Sequence, residues 1–254
     1  MTEEGGGRRQ TEVGELSPPP ASMVEGLAAA LRNGLVIAVL LLVPARLIGG
    51  VWLWPEGLAF VGVTTAIGMA GNAALARFRP DHFRVRQQSV VAAQHKRQPL
   101  VDAIGAVLLL GFGAAWLIFI PVDVFRLHLL PSPNLAISLV GGVCVVVGAA
   151  LTPLAVWENR FATPNVQDQV TQGQRIIDTG VYGLIRHPIY AGNLLLFGGA
   201  TLWLGSYAAF AGVGVLLVAT VARIIVEEAH LRANVPGYET YARRVRARLI
   251  PFLV

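Results

Sequence analysis

The chain has 254 residues, 54% of them hydrophobic and only 14% charged, with a mean hydropathy of +0.60. Soluble domains carry about 25% charged residues, so this chain lacks the charge to cover a water-facing surface and reads as an integral membrane protein. The net charge of +5 does not imply nucleic acid, because the basic residues gather beside apolar spans without interleaved aromatics; the single Cys144 excludes an internal disulfide, and no metal-ligand spacing is present.

Residues 1–22 mix Gly, Pro, Glu and Arg with almost no large apolar side chain. Such a segment cannot offset its ordering entropy, so a disordered cytoplasmic tail is expected. No basic stretch leads it into a short apolar core, so it does not read as a signal peptide. Apolar spans follow at about Gly26–Ile48, Val51–Leu75, Leu100–Val122 and Leu135–Trp157. A last stretch, about Ile189–Val226, is too long for one crossing, and Gly205-Ser206 divides it into two helices of a tight hairpin. Lipid offers no partner for free backbone groups, so each span must be helical. The expectation is an all-α, polytopic membrane bundle of about six helices. Helices in 23–134 precede a second part, 135–254, that holds most of the informative polar residues.

The arginines set the expected topology. The loop 76–99 holds Arg77, Arg79, Arg84, Arg86, Lys96 and Arg97 against Asp81, and the C-terminal tail holds Arg232, Arg243, Arg244, Arg246 and Arg248. The loop Asp123–Asn134 holds only Arg126, and the Gly205-Ser206 turn holds no basic residue. The positive-inside rule then puts both termini in the cytoplasm and these last two turns outside. The tail Gly237–Leu249 is amphipathic, with Tyr238, Tyr241, Val245 and Leu249 at helical spacing, and is expected to lie in the cytoplasmic membrane interface. Asn72 reads as a helix–helix hydrogen bond, and Gly141-Gly142 and Gly212-x-Gly214 as packing sites inside apolar spans.

The polar stretch Glu158–His187 contains Ile176, Ile177, Val181, Tyr182, Leu184 and Ile185, so it reads as an ordered cytoplasmic element. It ends in Arg186-His187-Pro188-Ile189-Tyr190 at the mouth of the fifth span. Pro188 suits the first position of a helix, and the unpaired N–H groups there can hold an anionic group, with Arg186 adding charge and His187 a donor or acceptor. The same residues also fit a capped helix with an interfacial Arg and Tyr anchor. A second cluster, Arg223-Ile224-Ile225-Val226-Glu227-Glu228, closes the last span. Arg223 and Glu227 share a helix face, either as an i,i+4 ion pair or as a site where acids at the hydrocarbon boundary meet a cationic ligand.

The run GQRIIDTGVYGLIRHPIYAGNLLLFGG, then ARIIVEE, then GYETYARRVRARLIP, resembles the isoprenylcysteine carboxyl methyltransferase family and the related phospholipid N-methyltransferases over about Leu135–Val254. The resemblance implies S-adenosylmethionine bound at the cytoplasmic ends of the last helices and a lipid-soluble methyl acceptor reaching the site from the bilayer. It implies cofactor contacts from Gln167, Gln174, Arg175, Ile176, Ile177, Tyr182, His187, Pro188, Ile189, Tyr190 and the acid Glu227, with Arg223 on the substrate. The run opens Gln174-Arg175 where animal members of the family begin with histidine. Sterol reductases resemble the same region but bind NADPH, and usually place an acid soon after the His-Pro-x-Tyr where this chain has Ala191-Gly192-Asn193. A transport protein would carry charges at mid-span, which this sequence does not.

Overall fold

The computed structural model describes residues 23–51, 53–85, 100–162 and 175–251, with side chains of the third helix from 111 onward. The 1–22 tail, Gln167 and Gln174 lie outside the described residues. Among the described residues the chain is helical, with no strand. Its long helices are α1 (Met23–Gly49), α2 (Pro55–Phe78), α3 (Leu100–Val122), α4 (Leu135–Glu158), α5 (Pro188–Trp203) and α6 (Phe210–Asn234), followed by a short α7 (Tyr238–Arg244).

The boundaries have local causes. Gly50, at φ +69, ends α1, and Pro55 opens α2 at the position where a missing N–H costs nothing, so the two spans are separated by 50–54. Asn134 caps α4 by accepting the Ile137 N–H at 3.0 Å. The last apolar stretch breaks at 204–209 and its second helix runs on to Asn234, eight residues past the apolar pattern. Glu228 and Arg232, one turn apart, continue it with an ion pair at 3.2 Å.

Four of the described helices, α1, α2, α4 and α6, are long and apolar enough to cross a bilayer. Their outward faces present Leu35, Leu47, Leu139, Val143, Val218 and Ile225 exposed, a surface that lipid and not water would cover. The molecule is an integral membrane protein. At about 24 Å by the helical rise, α5 is the shortest of the six long helices and the most enclosed.

The tightest packing joins α4 to α5. An added Cβ would stand 2.7 Å from the Gly199 carbonyl at Gly141, and 2.5 Å from both the Gly192 carbonyl and the Leu196 amide at Gly148. Gly192 and Gly199 meet α4 in the same way, so four glycines bring the two backbones together, as small residues do in membranes. Gly212 likewise receives the Trp116 ring, whereas Gly214 meets nothing within 4 Å. Gly148→Val is therefore expected to abolish the monodisperse peak of solubilised protein in size-exclusion chromatography. Gly62→Val, at a position with nothing within 4 Å, should leave it unchanged.

The two ends of the bundle differ. At one end the Trp54 and Phe125 rings meet edge-on at 5.1 Å, and the Trp116 indole donates to the Ala209 carbonyl. There the buried Asp123, in a π-helical turn after α3, accepts the Ser206 hydroxyl at 2.6 Å and the Leu129 N–H at 3.0 Å. The loop after α3 and the 204–209 turn therefore share one face, which carries Arg46 and Arg126 as its described basic residues. At the other end Asn72 donates to the Gly26 carbonyl, joining α2 to α1, and His82 Nδ1–H donates to the Val156 carbonyl. Arg77, Arg79, Arg84, Arg160, Arg186, Arg232 and the C-terminal arginines all lie at this second end.

Candidate functional site

The charged end is organised around the start of α5. His187 is its N-cap and Pro188 its first residue, so the first turn leaves the N–H groups of Ile189 and Tyr190 without partners inside the helix. The chain just before it is clamped by the C-terminal segment: the Arg186 N–H donates to the Ala247 carbonyl and the His187 N–H to that of Arg248, both at 3.0 Å. Arg186 Nη1 donates to the carbonyls of Ala242, Val245 and Arg246 at 3.2, 2.8 and 3.1 Å. Arg186 is thus a rivet for the end of the chain and not the free charge that its motif suggests.

The second Arg186 contact is Glu228. This carboxylate is 1% exposed and surrounded by cations. Oε1 accepts from Arg186 Nε at 2.8 Å and from His187 Nε2 at 3.2 Å; Oε2 accepts from Arg232 Nη2 at 3.2 Å and from Arg248 Nε at 3.4 Å. The sequence leaves both acids in want of a positive partner, but the protein's own side chains supply it for Glu228. A buried carboxylate needs such partners, and with them it has no need of a ligand.

Glu227 differs. It is only partly buried and accepts the Tyr190 hydroxyl at 2.7 Å. Among the described ion pairs none joins it to Arg223, so the i,i+4 pair is not formed; Arg223 lies beside the Tyr190 hydroxyl instead, on an exposed stretch of α6. The Tyr190 ring in turn stacks on His187, with centroids 5.7 Å apart and planes at 28°. Glu227 therefore retains acceptor capacity next to the helix start, with no direct ion pair described and Arg223 beside the same hydroxyl.

The wall below the start of α5 is the turn Gly180–Gly183. Gly180 adopts φ +55, a left-handed conformation that favours glycine, and the turn there sits against the Glu158 side chain at the end of α4. Thr179 donates to Glu158, and Asp178 pairs with Arg244. Tyr182 is buried close to Glu227 and Tyr190, and its carbonyl accepts the Tyr241 hydroxyl at 2.9 Å. Burial pushes the Tyr182 hydroxyl well above its ordinary range and that of Tyr241 up to about 12, so both stay neutral and act as shape and hydrogen-bonding groups.

Ile176 packs against Tyr238, Tyr241 and Val245, Ile177 is half-buried, and Arg175 is exposed in the approach to the turn. This corrects the expectation for the tail. Helix α7 ends at Arg244, and its apolar face of Tyr238 and Tyr241, with Val245 beyond it, turns onto Ile176 and Leu231 and not onto lipid. The structure thus gathers Tyr182, His187, Pro188, Ile189, Tyr190, Glu227 and Arg223 at one end of α5 and α6. It turns Arg186 and Glu228, offered by the sequence as a charge and an acid for a ligand, onto each other. It adds Tyr241, which sequence reasoning placed in the membrane interface and whose hydroxyl reaches the Tyr182 carbonyl.

Helices α4 to α6 and the clamped Arg-His-Pro turn define a helical membrane protein with a polar site at one end. Residues 137–235 match the family model for phospholipid methyltransferase, a kind of membrane methyltransferase that the C-terminal motifs resemble. The match runs from the start of α4 to just past α6 and contains Arg186, His187, Tyr190, Arg223, Glu227 and Glu228. Neither a curated protein nor a solved structure matches the chain.

Proposed function

We propose that the chain is an S-adenosylmethionine-dependent methyltransferase of the isoprenylcysteine carboxyl methyltransferase type, acting on a membrane-soluble acceptor: an isoprenylcysteine-like carboxylate, an isoprenoid, a lipid amine or a thiol. The observation that carries this reading is Glu227, a partly buried carboxylate with no direct ion pair described, held by the Tyr190 hydroxyl in the first turn of α5, within the stretch matched by the family. S-adenosylmethionine carries a carboxylate, an ammonium and a sulfonium, and supplies an electrophilic methyl group. The donor set fits it: the N–H groups of Ile189 and Tyr190 suit its carboxylate, and Glu227 suits its ammonium or ribose hydroxyls. Gln167, Gln174, Arg175, Ile176, Ile177, Tyr182, His187 and Pro188 complete the proposed binding surface.

Methyl transfer is a direct displacement, so the protein's part is alignment and exclusion of water. Arg223, one helical turn deeper than Glu227 and on the lipid-facing side of α6, is placed to hold a polar head group of the acceptor. In this reading α5 and α6 form a hairpin, the chain crosses the membrane six times, and the charged end with both termini is cytoplasmic by the positive-inside rule. Residues 135–254 form the methyltransferase part, with the helices of 23–134 beside it.

The test is ligand-dependent stability of the purified protein, followed by transfer of labelled methyl to host membrane lipid extract. S-adenosylhomocysteine at about 100 times its Kd should stabilise the protein by about 2.7 kcal/mol, and NADPH should not. Stabilisation by NADPH alone would make the site a reductase's.

A further inference from the structure

We infer that Glu228 and Arg186 are positioning residues that hold His187 with its proton on Nε2 and, through the stacked His187 and Tyr190 rings, set the place of the Glu227 carboxylate. The inference rests on the reading of Glu227 as a cofactor ligand and explains why two acids stand side by side. Consecutive helical residues point about 100° apart, so one acid can face the interior while its neighbour faces the first turn of α5. Glu228 is the interior one: at 1% exposure it meets Arg186, His187, Arg232 and Arg248, and both of its oxygens are occupied.

The chain of contacts is short. A carboxylate only accepts, so the contact between Glu228 Oε1 and His187 Nε2 fixes a ring proton on Nε2. The His187 backbone is pinned by its N–H to the Arg248 carbonyl, and its neighbour Arg186 is held by three carbonyls of 242–246 as well as by Glu228. With backbone and ring nitrogen both held, the imidazole plane has one orientation. Tyr190 stacks on that plane and donates its hydroxyl to Glu227 at 2.7 Å. Two residues, His187 and Tyr190, therefore separate the buried acid from the partly buried one. The C-terminal segment, though it follows the helices in sequence, becomes part of the same support, because its carbonyls anchor Arg186.

The experiment uses the full-length protein in detergent, with ¹⁵N-labelled histidine and the His187 resonances assigned by their loss in His187→Asn. Wild type should show a proton on His187 Nε2. Glu228→Gln should mix the tautomers, because an amide can both donate and accept, and should weaken S-adenosylhomocysteine binding by about tenfold although Glu228 touches no ligand. Glu227→Gln should weaken binding with the His187 tautomer unchanged. If Glu228→Gln fails to fold, Glu228→Asp withdraws the carboxylate by one methylene and should shift both readouts in the same direction. A wild-type His187 without a proton on Nε2, or a Glu228 variant with altered tautomer and wild-type affinity, would overturn the inference. A wild type that binds no S-adenosylhomocysteine would instead sink the reading of the site as a cofactor site. In that case the tautomer measurement still decides whether Glu228 orients His187.

Discussion

Glu228→Ala is expected to leave little folded protein. Removing one member of a buried charge cluster costs about 3–5 kcal/mol, chiefly because the partners stay behind uncompensated. Here those partners are Arg186, with a side chain only 6% exposed, and His187 at 5%. Without Glu228, Arg186 keeps its bonds to the carbonyls of 242–246 but loses its counter-charge, so the turn before α5 and the C-terminal segment come apart together. Against a total stability of about 5–15 kcal/mol, this is a large share. The control is Glu239→Ala. That acid pairs with Arg232 at 3.4 Å and Arg243 at 3.8 Å, but it is 58% exposed, and exposed pairs contribute about 0–1 kcal/mol. The thermal midpoint and the monodisperse fraction after solubilisation should fall sharply for Glu228→Ala and stay near wild type for Glu239→Ala. Equal behaviour of the two would mean that the buried cluster contributes no more than a surface pair.

The apolar spans were legible because lipid imposes one solution on a long apolar run. The third span coincides with α3, and the fourth differs from α4 by one residue at its end. Helix α6 outran its apolar pattern because hydropathy reports where lipid ends, and the backbone ladder can continue into water wherever side chains such as Glu228 and Arg232 support it. The amphipathic pattern of Tyr238, Tyr241 and Val245 was legible too, but a pattern identifies an apolar face and not what covers it. Here protein covers it, because Ile176 and Leu231 lie within reach. The Asp123–Ser206 contact joins residues 83 apart, and no periodicity encodes such a pair. The division of labour between Glu227 and Glu228 was hidden for a related reason. Adjacent acids on one helix look alike until the neighbours of each face are known, and those neighbours come from Arg186, His187 and Arg248, on segments far away in sequence.

Glu227→Gln should lower S-adenosylmethionine affinity by about ten- to a hundred-fold with the fold intact. A charge-assisted hydrogen bond contributes about 1.5–3 kcal/mol, and each 1.4 kcal/mol is a factor of ten in Kd. Gln keeps the length of the side chain and an oxygen that can accept the Tyr190 hydroxyl, so the contact now at 2.7 Å survives. What it removes is the charge. In wild type no described ion pair holds that charge, so its loss breaks no described salt bridge. This is the opposite of Glu228, where the charge is needed by the fold. Calorimetric titration of purified wild type and variant measures the effect directly, and circular dichroism with the thermal midpoint checks that the variant is folded. Tyr190→Phe offers an internal comparison: it leaves the carboxylate charged but untethered, and should weaken binding by less than Glu227→Gln. If Glu227→Gln binds like wild type while Tyr190→Phe does not, the tyrosine ring and not the acid recognises the ligand, and the electrostatic basis of the proposed site fails.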